Sequence, residues 1–393
     1  MEHNDCGVIV LADAPGALTE LCGMSILERL LRTLQRLDVG SVTVVSETPD
    51  VIRAAIERPS WARAELSVIV RDSLAPVHRR ALVVSAAYYD ARLLAALLNQ
   101  QTTTLLGDHG AHCGAALIDP SWSLARPESL FHELSIAAKG RQIQTLELAS
   151  LPAYITSMRR SIPPLYFPPP TTSSALAVAE RHVLDAAQNG TLDLPALVHA
   201  PIETCIIRRL CWTSVTPNQI TLFTAAVSAL VVLLFVSGQL VAGTVLAFVV
   251  GVLDGLDGKQ ARVKVETTPL GQREHALDYV LELSWWTALA FHIGNVWHWL
   301  LLLVATDIID RIAKSQVKQL TGRNLDDVAP FDRFVRLVGG RRNIYIWMFA
   351  AGLLLRAADK AFVALCCWGA VTATLHVARA LWISSRRSER AAH

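Results

Sequence analysis

A dominant charge is missing from this sequence: 36 Lys and Arg face 34 Asp and Glu, leaving +2 over 393 residues. No global field points to nucleic acid, so basic residues matter by position rather than by total. Cysteine offers no framework either. Cys6, Cys22, Cys113, Cys205, Cys211, Cys366 and Cys367 are scattered, odd in number and without paired metal-ligand spacing, so reduced packing residues are expected. The stretch Met1 to Val10 has acids but no basic run ahead of its short apolar segment. A cleaved signal peptide is therefore not expected, and the first domain is expected to stay in the cytoplasm. What the chain has is apolarity: 52% hydrophobic residues and a mean hydropathy of +0.37. That exceeds the range of typical soluble enzymes, makes a membrane the first expectation, and is spread over a length sufficient for two domains.

Residues 1–157 alternate short apolar runs with helix-like segments. Val8–Ala12, Val42–Ser46, Leu66–Val70, Ala81–Ser85, Thr103–Leu106 and Ala115–Ile118 read as buried strands, and Ser25–Leu37 and Ala91–Leu98 as helices. Strand–helix alternation implies a mostly parallel sheet covered on both faces. This order, with a loop after the first strand and then Gly23-Met-Ser-Ile-Leu-Glu-Arg-Leu-Leu31, resembles the nucleotidyltransferases that activate sugars and alcohols. The resemblance implies a Rossmann-like α/β fold and a Gly-rich, basic phosphate loop. The chain has Asp13-Ala-Pro-Gly-Ala-Leu18 there, with no Arg or Lys, so a loss of that activity is expected. Where the family's metal-binding aspartate would follow a strand, Ala86, Ala87, Tyr88 and Tyr89 precede Asp90, which reads equally as a helix cap. Asp108-His109, after the next apparent strand, reads either as a ligand pair or as a turn.

Pro163-Pro-Leu-Tyr-Phe-Pro-Pro-Pro-Thr-Thr172 favours an extended, semi-rigid connection, so residues 158–175 are expected to be a linker. Residues 176–215 then read as a helix and a short amphipathic one from Pro201 to Cys211, with Pro201 in its first turn and Arg208 and Arg209 towards headgroups. Residues 216–393 are expected to form an all-α, six-helix membrane domain with spans at Thr216–Ser237, Val241–Leu256, Ala276–Ile293, Val296–Ile312, Asn343–Leu355 and Ala361–Ile383. Lys and Arg after the second and fourth segments and at the tail lie on one side, with little beyond Arg356 opposite. Both termini and the active site are thus expected to be cytoplasmic. Trp285, Trp286, Trp297 and Trp299 read as an aromatic belt.

Inside this apolar half lie Asp254, Asp257, Glu274 and Asp278. Charge at membrane depth is expensive, and divalent metal is the most economical compensation. Asp254-x-x-Asp257-Gly258-x-x-Ala261-Arg262, followed by Gly271, resembles the signature of the CDP-alcohol phosphotransferase family. Pro217-Asn218-x-x-Thr221 resembles that family too. The likeness covers about the last 200 residues and implies transfer of a phospho-alcohol from a CDP-activated donor, such as CDP-diacylglycerol, to an acceptor alcohol or alcohol phosphate, with release of CMP. It implies one or two Mg²⁺ or Mn²⁺ ions on Asp254, Asp257, Glu274 and Asp278, with Asp278 as general base. It implies nucleotide contacts at Asn218, Thr221, Gly258, Ala261, Arg262 and Gly271, acceptor contacts at Arg341 and Arg342, a homodimer, and a bacterial or archaeal plasma membrane.

The family spacing after Gly271 falls on His275 and Tyr279, one position beyond Glu274 and Asp278. One residue missing after Gly271 restores the match. Glu274, Asp278 and Glu282 share one helical face at steps of four, so a register on Asp278 and Glu282 stays open. The fusion of the two halves also resembles bifunctional enzymes that make a CDP-inositol in the soluble domain and consume it in the membrane domain. A cation pathway and an inactive scaffold are the remaining alternatives.

Overall fold

The computed structural model describes residues 6–57, 61, 66–73, 79–120, 122, 127–191, 193–266 and 274–391, without the side chains of 14, 127, 128, 274–277 and 387–391. The first domain runs β1 (Gly7–Leu11), α1 (Ala14–Ala17), α2 (Ile26–Arg36), β2 (Ser41–Val45), α3 (Pro49–Ala55), β3 (Ser67–Arg71) and β4 (Ala81–Ser85). It continues with β5 (Tyr88–Tyr89), α4 (Ala91–Leu98), β6 (Thr104–Asp108), β7 (Ala111–Ile118), α5 (Pro127–Lys139) and β8 (Gln144–Glu147). Seven strands form one sheet in the order β3-β2-β1-β4-β7-β6-β8, parallel except for β7. Period-two burial sends Val8, Val10, Leu82 and Val84 to one core and Ile9, Ala81 and Val83 to another on the opposite face. The expectation of an α/β sheet buried on both faces is met. β7 forms a hairpin with β6 through Asp108-His109-Gly110, where His109 and Gly110 have φ of 48° and 83°.

The loop after β1 is closed rather than open. It makes the single turn α1, and a Cβ on Gly16 would lie 3.2 Å from Pro169 of the proline-rich segment. Tyr88 and Tyr89 form β5, which pairs antiparallel with β11 (Tyr166–Phe167), and Tyr88 stacks on Phe167 at 4.5 Å between ring centres. A hairpin of β9 (Tyr154–Ile155) and β10 (Arg160–Ser161) precedes β11. Asp90 caps α4, accepting from the Arg92 amide at 3.0 Å and pairing with its guanidinium at 2.6 Å.

The rest is helical: α6 (Ser173–Ala186), α7 (Ala196–Leu210), α8 (Pro217–Val236), α9 (Leu240–Val263), α10 (Glu274–Ile293), α11 (Trp297–Thr321), α12 (Pro330–Val338), α13 (Arg342–Leu354) and α14 (Ala358–Ala391). α7 starts earlier than its sequence suggests, because the Asp193 carboxylate accepts from the Ala196 amide at 2.9 Å and caps it there. Pro201 therefore lies inside the helix rather than in its first turn. Helices stand at all six expected segments, and among the described residues three are long and apolar enough to cross a membrane: Pro217–Val236, Leu240–Val263 and Ala358–Arg386. α13 has 13 residues and reaches about 20 Å, while α10 and α11 carry acids and bases along their length. Trp285 and Trp286 correct the belt expectation: they are 1% and 3% exposed, packed in the bundle core, with the Trp285 indole donating to the Ser228 carbonyl at 3.0 Å.

The two halves are joined by a common core. Leu21, Cys22 and Ile26 of the first domain pack with Val183 of α6, Ile207 of α7, Ile220 of α8 and Leu256 and Val263 of α9. Polar bonds lie beside it. Arg29 and Arg32 of α2, both buried, donate to the Val263 carbonyl at 2.5 Å and the Lys264 carbonyl at 3.1 Å. These are the unsatisfied carbonyls of a helix C-terminus, which favours cations by geometry and by dipole.

Candidate active site

The site is built on the last turns of α9. Asp254 and Asp257 stand three residues apart and so share a helix face. Asp257 is 4% exposed; its Oδ2 accepts from the Thr221 hydroxyl at 2.7 Å and its Oδ1 from the Gly258 amide at 2.6 Å. Thr221 lies in the second turn of α8, whose start is fixed by a capping box between Thr216 and Gln219 with Pro217 in the first turn. The short Pro217–Thr221 pattern and the aspartate pattern thus meet in space. The Asn218 Oδ1 beside them is buried with no hydrogen-bond partner among the described residues.

Asp254 is held differently. Its Oδ2 accepts from the Arg342 guanidinium at 2.7 Å, at the first residue of α13. Arg342 lies over the Trp285 ring at 5.7 Å and is within electrostatic reach of Asp278 and Glu282 on α10. One cation therefore ties α9, α10 and α13 together. Asp278 is half-buried, and the Glu282 carboxylate accepts from the Trp286 indole at 3.4 Å. Glu274 opens α10, but its side chain, like Gly271, lies outside the described residues.

The neighbouring basic residues diverge. Arg341 turns away from Asp254 and pairs with Asp326 at 2.9 Å, sharing it with Arg159 at 3.0 Å. The Arg262 Nε donates to the Ala187 carbonyl at 2.6 Å at the end of α6. A Cβ on Gly258 would lie 3.3 Å from the Arg262 guanidinium, a contact tight enough to press on it. Ala261 is half-buried on the same turn.

Residues 214–382 match the CDP-alcohol phosphatidyltransferase family. This segment is a CDP-alcohol phosphatidyltransferase domain. Among curated proteins the chain is similar to the bifunctional IPC transferase and DIPP synthase of Aquifex aeolicus (strain VF5), with 29% identity over 154 residues, 38% of this chain and 35% of that protein. It spans about a third of the length of that relative. Among solved structures it is similar to Mycobacterium tuberculosis phosphatidylinositol phosphate synthase (PgsA1) with CDP-DAG bound, with TM-score 0.37, 20% identity, and 46% and 94% of the two chains covered. The apo form of that synthase gives TM-score 0.36 and 19% identity over the same shares.

Within the transferase domain and the helix before it, the structure gathers polar residues that the sequence did not single out. Asp193 and Asn343 are bonded at 3.2 Å, and His199 lies against α9, where a Cβ on Gly251 would approach its ring to 2.9 Å. Burial holds the His199 imidazole below its ordinary value, with Asp193 working against that. Glu203 sits over Gly255, where a Cβ would lie 2.4 Å from its carboxylate, and burial raises it despite the nearby Lys259. Gly251 and Gly255, four apart, let α7 and α9 approach closely. That spacing was the available signal in the sequence.

Among the described residues, no group of three His, Cys, Asp or Glu is arranged to hold a metal. Asp254 faces a guanidinium and Asp257 faces two hydrogen-bond donors. The fit to a divalent ion rests on donor chemistry: Asp254, Asp257 and Asp278 all offer carboxylate oxygens, the hard ligands Mg²⁺ and Mn²⁺ take.

Proposed function

We propose that this chain transfers a phospho-alcohol from a CDP-alcohol donor, CDP-diacylglycerol in the first instance, to the hydroxyl of an acceptor alcohol or alcohol phosphate, releasing CMP. The observation that carries the proposal is that both motif aspartates of α9 are engaged by neighbouring helices, Asp257 by Thr221 of α8 and Asp254 by Arg342 of α13. Asp254, Asp257, Glu274 and Asp278 would hold Mg²⁺ or Mn²⁺, which when bound neutralises the donor's pyrophosphate. The chain's own residues do the rest. Asp278, within electrostatic reach of Arg342, takes the acceptor's proton. Thr221 and the Gly258 amide fix the Asp257 carboxylate, so its oxygens need little reordering on binding. Asn218, Gly258, Ala261, Arg262 and Gly271 form the nucleotide side, and Arg341 and Arg342 the acceptor side, with Arg342 alternating between Asp254 and the incoming anion.

In this reading the six helices α8–α11, α13 and α14 span the membrane, the termini and site face the cytoplasm, and the enzyme works as a homodimer. The first domain contributes structure rather than a second reaction. Asp90 is used as a cap and ion-pair partner, Tyr88 stacks on the linker, and Pro169 packs against the turn where a phosphate loop would open.

The test is CMP release from CDP-diacylglycerol by protein in detergent, with Mg²⁺ or Mn²⁺ and a panel of alcohol acceptors. Asp278→Asn is expected to lower turnover by about 10²–10⁴, the usual contribution of a positioned base, and chelation by EDTA to abolish it reversibly. Turnover unchanged in Asp278→Asn refutes the base assignment, and CMP release without any divalent ion refutes the metal.

A further inference from the structure

Away from the transferase site, a cavity of about 970 Å³ lies between the β9–β10 hairpin, the α6–α7 pair and α12. None of its walls comes from α8, α9, α10 or α13, the helices that carry the transferase site. Six arginines line it against three acids, Glu180, Asp185 and Asp327. Internal pairing uses some of that charge: Arg159 with Asp326 at 3.0 Å, Arg160 with Asp185 at 3.0 Å, and Arg336 with Asp327 at 3.1 Å. Arg181, Arg208 and Arg333 have no ion-pair partner among the described residues, so the walls keep an excess of positive charge. The floor is apolar, made by Leu184, Leu197, Ala200 and Pro201.

Two observations separate this cavity from a merely solvated basic face. Arg336 is 9% exposed and lines the cavity, yet its Nε has no hydrogen-bond partner among the described residues. A buried guanidinium N–H left unpaired is costly, and a ligand oxygen would relieve it. The inner wall is also tied to the motif helix, because Gln188 and Thr204 both accept from the buried Lys259 ammonium, the Thr204 bond measuring 2.7 Å. Lys259 follows Asp257 and Gly258, so the two sites share one helix segment.

We propose that this cavity binds a phosphate ester, with its oxygens at Arg181, Arg333 and Arg336 and its carbon part on the floor of α6 and α7. Guanidinium forks match phosphate oxygens in geometry and charge, and Asp327 already orients that of Arg336. The same chemistry is offered by a soluble phosphate ester and by an anionic lipid headgroup. Its position beside α7, which exposes Leu197, Val198 and Ile202, gives either one access. The proposal is independent of the transferase reading.

The test uses full-length protein in detergent, wild type against Arg181→Gln/Arg333→Gln and against Ala200→Phe, which fills the floor without touching charge. Inorganic phosphate is titrated calorimetrically, and retention of phosphatidic acid against phosphatidylcholine is read by native mass spectrometry. Saturable phosphate binding that weakens at least tenfold in the double variant supports the site with a soluble ligand. Selective retention of phosphatidic acid, lost in both variants, supports it with a lipid headgroup. Equal behaviour of wild type and double variant in both measurements overturns it. CMP release in the same samples reports separately on the transferase, and its loss or retention does not alter the binding result.

Discussion

Replacing Arg32 by Met asks how firmly the first domain is locked to the end of α9. Arg32 and Glu28 have side chains 2% and 0% exposed, and the guanidinium donates to Glu28 at 2.6 and 3.0 Å. It also reaches the Lys264 carbonyl at 3.1 Å and Glu266 at 2.9 Å. Methionine keeps the apolar stem and removes the charge. Two carboxylates then lose their buried partner, and breaking a buried pair in this way costs about 3–5 kcal/mol. At 1.4 kcal/mol per tenfold, the locally open state should become roughly 10² to 4×10³ times more populated. Hydrogen exchange of the α2 amides and of residues 256–263 measures that population directly. Glu28→Gln in the same chain should recover part of the loss, since it removes one of the two carboxylates that faced Arg32. Protection within threefold of wild type in the single variant would refute the claim that this pair holds the halves together.

Further outcomes follow from single contacts. Thr221→Val removes the donor to Asp257 without changing shape, and the loss of a bond to a charged group, about 1.5–3 kcal/mol, should lower CMP release by roughly tenfold to a hundredfold. Gly23→Ala should destabilise docking by more than about 2 kcal/mol: Gly23 has φ of 72°, and a Cβ there would lie 2.2 Å from the Cys211 carbonyl oxygen. Thermal unfolding in detergent reads it. His199 titrates below its ordinary 6.5 in the folded chain, so the unfolded chain takes its proton first as pH falls. Its contribution to stability is therefore present above pH 6.5 and is lost on acidification through the lower folded value. The fall in melting temperature between pH 7.5 and 5.5 should be smaller in His199→Gln.

Much of the sheet was legible because burial on both faces writes continuous apolar runs, and β1, β2, β3, β4 and β6 fall within a residue or two of the segments read as strands. β8 escaped because Gln-Thr-Leu-Glu has no such run, and α3 because seven residues are too few to show a helical period; α5 was missed although Leu130, Phe131, Leu134 and Ala137 recur at helical spacing and are buried. β7 extends four residues before its apolar core, since pairing with β6 recruits Ala111 and His112 whatever their side chains. At the site, spacing located Asp254, Asp257, Asn218 and Thr221, because helix geometry converts three-residue steps into a shared face. Their partners were not legible. Arg342 pairs with Asp254 across 88 positions, and nothing local separates it from Arg341, which pairs with Asp326 instead.

That divergence of two adjacent arginines carries a mechanistic distinction. Arg341 meets an acid that it shares with Arg159 of the β9–β10 region, so removing it leaves Asp326 with another cation. Arg342 is the guanidinium bonded to Asp254, and removing it takes from that carboxylate the one ion-pair partner it has among the described residues. Like charges three residues apart on one helix face repel in a low dielectric, and the local answer is protonation or capture of a cation. Arg342→Gln should therefore raise the apparent affinity for Mn²⁺, read as the metal concentration that half-restores CMP release after chelation, while Arg341→Gln leaves that concentration unchanged. If the two variants shift it equally, the ion pair with Asp254 has no part in preparing the site.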